Sequence, residues 1–397
     1  MIAIVNAFRT PIGRYGGSLA GIPPEDLLTT VMNNNLASVG YGSEIIDEII
    51  IGQTKQSAET PNIARVASLK AGFSEKVVGH TVHLQCGSGM QAIINGAMSI
   101  LTGNAQAVLA GGVENMSQAP YYFTGNRFGI KPGDLTLFDS NVRSQPCSQP
   151  ENIYGKFSMG ETAEWLAEKY QISRDEQDRF AYKSQEKAWR AIERQQFFDE
   201  IVPIGIQKRV GDVGLFAVDE HPRNTTLDKL SKLSPVFIEN GTVTAGNSSG
   251  RNDGAAVVLL MAEERARELG VRPMAIIRSF ALSGVSPREM GIGPVSSTKK
   301  ALDKAGLTLS DIDLIELNEA FAAQSLAVLK HWDVNLDKVN VNGGAIALGH
   351  PLGCSGARIL VTLLHELDKT KLSYGLATLC VAGGQGIAMV VERWKEY

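Results

Sequence analysis

The chain has 397 residues, 44% of them hydrophobic and 20% charged, with a formal net charge of −4. This length exceeds one ordinary core and implies two or three packed units of a soluble globular protein. The small negative charge lacks the electrostatic footprint of a nucleic-acid or anionic-membrane binder, and no apolar run is long enough to span a bilayer.

Met1-Ile2-Ala3-Ile4-Val5 meets Arg9 too soon for a secretory signal and reads as a buried strand over residues 2–7. A helix then enters through Pro23-Pro24-Glu25, with proline in its first turn. Strands are expected at Glu48–Gly52, 79–84 and 107–110, with a helix over 86–102 that stops at Gly103-Asn104. This alternation of β-branched runs and amphipathic patterns predicts an α/β protein. From about Ser117 to Ala245 the chain is richer in charge and aromatic residues. It is irregular around Ser144-Gln145-Pro146-Cys147-Ser148-Gln149-Pro150. One strong helix stands there, opened by the capping box Ser173-Arg174-Asp175-Glu176 and running to about Gln195. The stretch reads as an insertion over the core, a usual seat of substrate specificity.

The second half repeats the plan of the first. Ile46-Asp47-Glu48-Ile49-Ile50-Ile51-Gly52 resembles Ile312-Asp313-Leu314-Ile315-Glu316-Leu317-Asn318 at an offset of 266 residues. Ser88-Gly89 matches Ser355-Gly356 at 267, and Ala110-Gly111-Gly112 matches Ala382-Gly383-Gly384 at 272. Three matches in order predict a duplicated α/β domain.

Four cysteines in this length form no disulfide scaffold, no C-x-x-C pair and, with the histidines, no zinc pattern. A reduced, cytoplasmic location and the absence of a metal are therefore expected. Cys86 follows a strand and starts a helix whose first turn is Gly-Ser-Gly. Unpaired N–H groups and the helix dipole there are expected to hold a nucleophilic thiol below its ordinary range. The competing reading is a buried structural cysteine. His350 sits in a glycine-flanked turn, Gly349-His350-Pro351-Leu352-Gly353, able to take a thiol proton and to hydrogen-bond an oxyanion. Cys380 ends the apolar run Gly375-Leu376-Ala377-Thr378-Leu379, placed for proton transfer at carbon. Asn318, in Asn318-Glu319-Ala320-Phe321, either orients a water or caps the next helix. Cys147, in an irregular loop, and Cys354, at a helix start, read as bystanders.

Taken together these residues resemble the thiolase family along essentially the whole chain. The resemblance rests on Cys86-Gly87-Ser88-Gly89, Gly111-Gly112-Val113-Glu114-Asn115-Met116-Ser117 and the run Gly241-Thr242-Val243-Thr244-Ala245-Gly246-Asn247-Ser248-Ser249-Gly250. The Asn318 segment, the 342–356 run and the 375–386 run complete it. It implies an α/β, five-layered αβαβα fold of two duplicated βαβαβαββ halves with an inserted loop domain. The N-terminal half would comprise 1–117 and 246–270, the loop domain 118–245 and the C-terminal half 271–397. It further implies that Cys86 becomes the acyl-enzyme, that His350 activates it and that Cys380 moves the proton at carbon. Asn318 (through a water) and His350 would bind one thioester oxygen; the backbone N–H groups of Cys86 and Ala382 would bind the other.

Coenzyme A would be substrate and product, with no bound cofactor, its pantetheine passing Ser249, Met159, Met290, Phe237 and Phe321 toward Arg223. The activity implied is the acetyl-transferring, short-chain one, two acetyl-CoA in equilibrium with acetoacetyl-CoA and CoA, in a homo-oligomer without nucleic-acid or membrane partners. A 3-ketoacyl-CoA thiolase of fatty-acid β-oxidation is the nearest alternative; a cysteine hydrolase and an inactive CoA-binding scaffold stand further off. The chain departs from the family's habit at His83, Arg251, Ser158 and Ala382, the last standing for a usual glycine.

Overall fold

Asp47 and Asp313 play one structural part in two places. The Asp47 carboxylate accepts the N–H groups of Gln106 and Ala107 at 2.7 and 3.1 Å. Asp313 accepts those of Ser373 and Tyr374, both at 2.9 Å. Each aspartate thus precedes a strand and pins the start of that strand's parallel neighbour, and the duplication read from the sequence is present in three dimensions. The computed structural model describes residues 1–209 and 212–395.

The first half runs β1 (Ile2–Arg9), α1 (Pro24–Val39), β2 (Glu48–Gly52), α2 (Ile63–Lys70), β3 (Val78–Val82), α3 (Ser88–Leu101) and β4 (Ala107–Asn115). Two longer helices of the intervening segment follow, α4 (Met159–Lys169) and α5 (Arg174–Glu193). The rest is β5 (Asn252–Ala262), β6 (Ala275–Gly284), α6 (Gly293–Ala305), β7 (Leu314–Leu317), α7 (Ala322–Leu329), α8 (Leu352–Thr370), β8 (Tyr374–Val381) and β9 (Gln385–Arg393). The strands are ordered β7-β8-β9-β6-β1-β5-β4-β2-β3, with Gly13–Arg14 added against β5. The two ends of that order mirror each other. In each half parallel pairing (β2 with β3 and β4, β7 with β8) gives way to antiparallel strands.

Burial stacks these elements in five layers. α1 and α2 cover one face of the first half, through Leu27, Val31, Ile63 and Ala67. α6 and α7 cover the outer face of the second, through Ala301, Leu302 and Val328. Between the halves lie α3 and α8, whose Ile93, Ala97, Leu360 and Leu364 share one core with strands of both. The layer sequence is αβαβα.

The middle layer closes on glycine. A Cβ at Gly89 would stand 2.8 Å from the Gly353 carbonyl oxygen and 3.0 Å from the Ala357 nitrogen. One at Gly112 would stand 2.0 Å from the Gly353 oxygen. Backbone-to-backbone approach of this kind requires glycine and brings the N-termini of α3 and α8 together. The intervening segment lies over the second half: Ala163, Leu166 and Ile172 pack on Ala323 and Ala327 of α7.

Several boundaries differ from expectation: β1 runs on to Arg9, and α3 begins at Ser88 and ends at Leu101. β3 ends at Val82, not 84, because the Leu84 N–H turns to the Ser88 hydroxyl at 2.8 Å. β4 continues to Asn115, paired along its length with β5. The capping box Ser173/Glu176 opens α5 as expected. Ser158 builds a second one with Glu161, so this departure from the family serves as a helix cap. Among the described residues no helix is long and apolar enough to cross a membrane.

Candidate active site

Cys86 lies in the turn between β3 and α3. Gln85 adopts a left-handed φ of 45°, uncommon for a non-glycine residue, so the turn stores strain. The Ser88 hydroxyl holds it, accepting the Leu84 N–H and donating to the Gln85 carbonyl at 2.6 Å. The expectation of a lowered thiol pKa is overturned. Burial pushes the Cys86 thiol up to about 11, offset only partly by the Ala382 backbone N–H and the Lys55 ammonium. Helix α3 begins two residues later, at Ser88, and its N-terminus does not outweigh desolvation. Cys86 is therefore protonated at neutral pH and needs a base.

His350 precedes α8 as Cys86 precedes α3. Its backbone N–H donates to the Asn252 side-chain oxygen at 2.9 Å. Its ring Nδ1 lies 2.6 Å from the Ser355 hydroxyl, which itself donates to the Pro351 carbonyl at 2.9 Å. With the hydroxyl proton so used, Nδ1 carries the ring proton and Nε2 is left as a lone pair. Nε2 is buried and has no protein partner. Burial, helped by the Arg358 charge, depresses the ring to about 4, so it is neutral at physiological pH. A neutral imidazole with a free Nε2 is a competent general base.

Cys380 sits one residue before the end of β8, fully enclosed and packed with Met290 and Ala320. Burial and then the neighbouring Cys86 push its thiol strongly up. After it the chain turns through Gly383 and Gly384, with φ of 88° and 85°. Ala382 is not among the residues with positive φ, so alanine sits there unstrained and keeps the N–H that faces the Cys86 sulfur.

Asn318 is fully buried, and neither its Oδ1 nor its Nδ2 has a protein partner. The capping alternative is not what the structure shows: α7 begins at Ala322, after Phe321. Glu319 beside it is buried and hydrogen-bonded by Ser184, Asn340 and the Ile346 N–H.

One cavity of about 280 Å³ gathers Cys86, His350, Cys380 and Ala382 with Ser249, Met159, Met290, Phe237 and Phe321. The two phenylalanine rings meet edge to face with centroids 6.0 Å apart. Asn318 and Arg223 are not in its lining. Arg223 is exposed and its guanidinium donates to the Ala245 carbonyl at 2.9 Å. His83 is exposed and also outside the cavity, whereas Arg251 lines it. Sequence reasoning missed a polar wall made by Asn141, Ser144, Gln145 and Ser148, and Lys55 behind it. The duplication offered a signal for Lys55, since at an offset of 266 it corresponds to Phe321 of the Asn318 segment. Among the described residues no cluster of His, Cys, Asp and Glu could hold a metal ion.

Residues 2–264 match the family model described as "Thiolase, N-terminal domain", and residues 271–393 match "Thiolase, C-terminal domain". The "Acetyl-CoA acetyltransferase" of Chromobacterium violaceum is 49% identical, over 99% of both chains. A "Probable acetyl-CoA acyltransferase" of Staphylococcus aureus is 48% identical, again over 99% of both. Among solved structures, Bacillus anthracis acetyl-CoA acetyltransferase superposes with a TM-score of 0.95 at 45% identity, covering 99% of this chain and 98% of that one. Human mitochondrial 3-ketoacyl-CoA thiolase gives 0.94 at 42% identity, covering 99% of each.

Proposed function

This chain belongs to the thiolase family, and we propose from that premise that it is an acetyl-CoA acetyltransferase working by ping-pong exchange through acyl-Cys86. The observation that carries the reading is the meeting of Cys86, the unpaired Nε2 of His350 and Cys380 at one cavity. His350 takes the Cys86 proton as the sulfur attacks an acetyl-CoA carbonyl. The oxyanion is stabilised by the N–H groups of Cys86 and Ala382, and CoA leaves. The Cys380 thiol gives its proton to the departing CoA sulfur, and the resulting thiolate removes a methyl proton from a second acetyl-CoA. The carbon so freed attacks the acetyl-cysteine to give acetoacetyl-CoA, while Cys86 leaves and recovers its proton from His350. Asn318, through a water, and His350 hold the enolate oxygen. Splitting thioester exchange from carbon–carbon bond formation is what makes the kinetics ping-pong.

CoA is substrate and product here, with Ser249, Met159, Met290, Phe237 and Phe321 along its pantetheine and Arg223 toward the adenine. A domain division at 117, 245 and 270, a cytoplasmic location and a homo-oligomer complete the proposal. Side chains exposed at Tyr121, Phe128, Ile130 and Leu135 support self-association.

Thiolysis of acetoacetyl-CoA tests the activity, and release of free acid instead would favour a hydrolase. Cys86→Ser is expected to abolish labelling by acetyl-CoA. Cys380→Ser is expected to retain the label and lose condensation; an unlabelled Cys380 variant would sink this division of roles. The likeness to the human 3-ketoacyl-CoA thiolase favours longer chains as the second reading, which a chain-length series of 3-ketoacyl-CoA substrates separates.

A further inference from the structure

The cavity is not uniformly apolar. Besides its methionines and phenylalanines it is lined by the polar residues Asn141, Ser144, Gln145 and Ser148. Behind them is Lys55, only 6% exposed. Its ammonium donates to the Ser144 hydroxyl at 2.6 Å and to the Ser140 carbonyl at 3.3 Å. It makes no ion pair among the described residues.

Glu114 and Asp139 act on Lys55 electrostatically but make no ion pair with it, and their oxygens are hydrogen-bonded to other groups. Glu114 accepts the N–H groups of Thr54, Lys55 and Gly353 and the Thr54 hydroxyl. Asp139 accepts the Asn141 N–H at 2.8 Å. Arg251 adds a second cation at the same cavity, and its guanidinium has neither a hydrogen bond nor an ion pair among the described residues.

A buried cation without a contacting counter-ion is costly, and an acyl chain ending in a methyl group would dehydrate it further without compensation. A carboxylate end would supply the missing charge through short, charge-assisted hydrogen bonds. We propose that this cavity selects CoA thioesters of short 3-oxo acids whose far end is a carboxylate, held by Lys55 and Ser144 on the polar wall and by Arg251.

The proposal rests on the thiolase reading and names the substrate class of that site. For a six-carbon chain, the Cys86 sulfur attacks C3 after giving its proton to His350. The C2–C3 bond breaks, and its electron pair goes to C2, which takes the Cys380 proton and leaves as acetyl-CoA. The four-carbon acyl group stays on Cys86 with its carboxylate at Lys55. The CoA thiol then passes its proton to Cys380 and attacks, Cys86 recovers its proton from His350, and the mono-CoA thioester of a four-carbon dicarboxylic acid departs.

The test is the ratio of kcat/KM for thiolysis of two synthetic six-carbon 3-oxoacyl-CoA substrates, one ending in a carboxylate and one in a methyl group. Any effect on Cys86 itself divides out of this ratio. The wild-type ratio is expected at about tenfold or more in favour of the carboxylate. Lys55→Met should bring it down about tenfold and Arg251→Leu by a smaller factor, whereas Lys55→Arg should keep most of it. A wild-type ratio of unity or less overturns the proposal, as does a ratio unmoved in Lys55→Met. Should that variant not fold, the wild-type ratio decides alone. Failure of the thiolase reading looks different: the wild-type protein would cleave neither substrate nor acetoacetyl-CoA.

Discussion

Burial pushes Cys86 and His350 in opposite directions on the pH scale, and toward the same thing, their neutral forms. A neutral thiol beside a neutral imidazole stores no charge in the resting cavity. In the proposed reaction the ion pair is made only when substrate brings the oxyanion donors into use. This sets the sign of the pH dependence. In the proposed role of base His350 must be unprotonated, and its folded pKa is depressed to about 4, so activity is expected to be lost as pH falls through that region. The acid limb of kcat/KM for acetoacetyl-CoA thiolysis, which reports the free enzyme, is therefore expected below pH ~5, well under the ordinary histidine value near 6.5. A limb centred on the ordinary value would mean that the ring is hydrated in the free enzyme. Ser355 takes part in this by fixing the tautomer, a role invisible in the sequence because serine at a helix start has many uses.

At the scale of elements, the site depends on how closely α3 and α8 approach. Each helix carries a functional side chain just before its first turn, and their separation is fixed where Gly89 faces the Gly353 carbonyl. Gly89→Ala would drive a methyl into backbone at 2.8 Å, which neither helix can yield without moving its N-terminus. Overpacking of this kind costs about 1–3 kcal/mol, readable as a lower urea midpoint. A fall in kcat for acetoacetyl-CoA thiolysis beyond the loss of folded protein is expected with it. Gly21→Ala, with nothing within 4 Å, is the matched control and should leave both unchanged. Elements of this kind were readable in advance because each carries a local cause: prolines opening α1, a capping box opening α5, matched aspartates before β2 and β7. The thiol turn, His350 and Cys380 were readable for the same reason, each having glycine within three residues (Gly87, Gly349 and Gly383). The polar wall was not, since Asn141, Ser144 and Ser148 come from an irregular stretch with no period, and only the fold carries it to the cavity. The misjudged Cys86 pKa has a similar origin: the helix start is local and visible, whereas desolvation is supplied by distant parts of the chain.

The whole molecule is a duplicated core in which the copies have diverged in chemistry while keeping their frame, one presenting Cys86 and the other His350 and Cys380. Such an arrangement works only if the covering segment is held in register with both, and one fully buried cation does this. Arg9 of β1 pairs with Glu200 at 2.6 Å and with Asp219 at 2.7 and 2.9 Å, both from the covering segment. Glu200 also accepts the Thr362 hydroxyl of α8 at 3.0 Å, and Asp219 accepts the Ile12 N–H at 2.7 Å. Both halves and the segment between them thus meet at a single guanidinium. Asp219→Ala removes one arm and leaves Arg9 buried and half-compensated, a change that typically costs about 3–5 kcal/mol. The expected result is a large drop in the urea midpoint, with early proteolysis within the covering segment. Arg9→Met removes the charge along with its need for partners, but leaves Glu200 and Asp219 facing each other at full burial, so it should be no milder. If Asp219→Ala moved stability by less than about 1 kcal/mol, the typical scale of an exposed pair, the covering segment would have to be held by its packing on α7 alone.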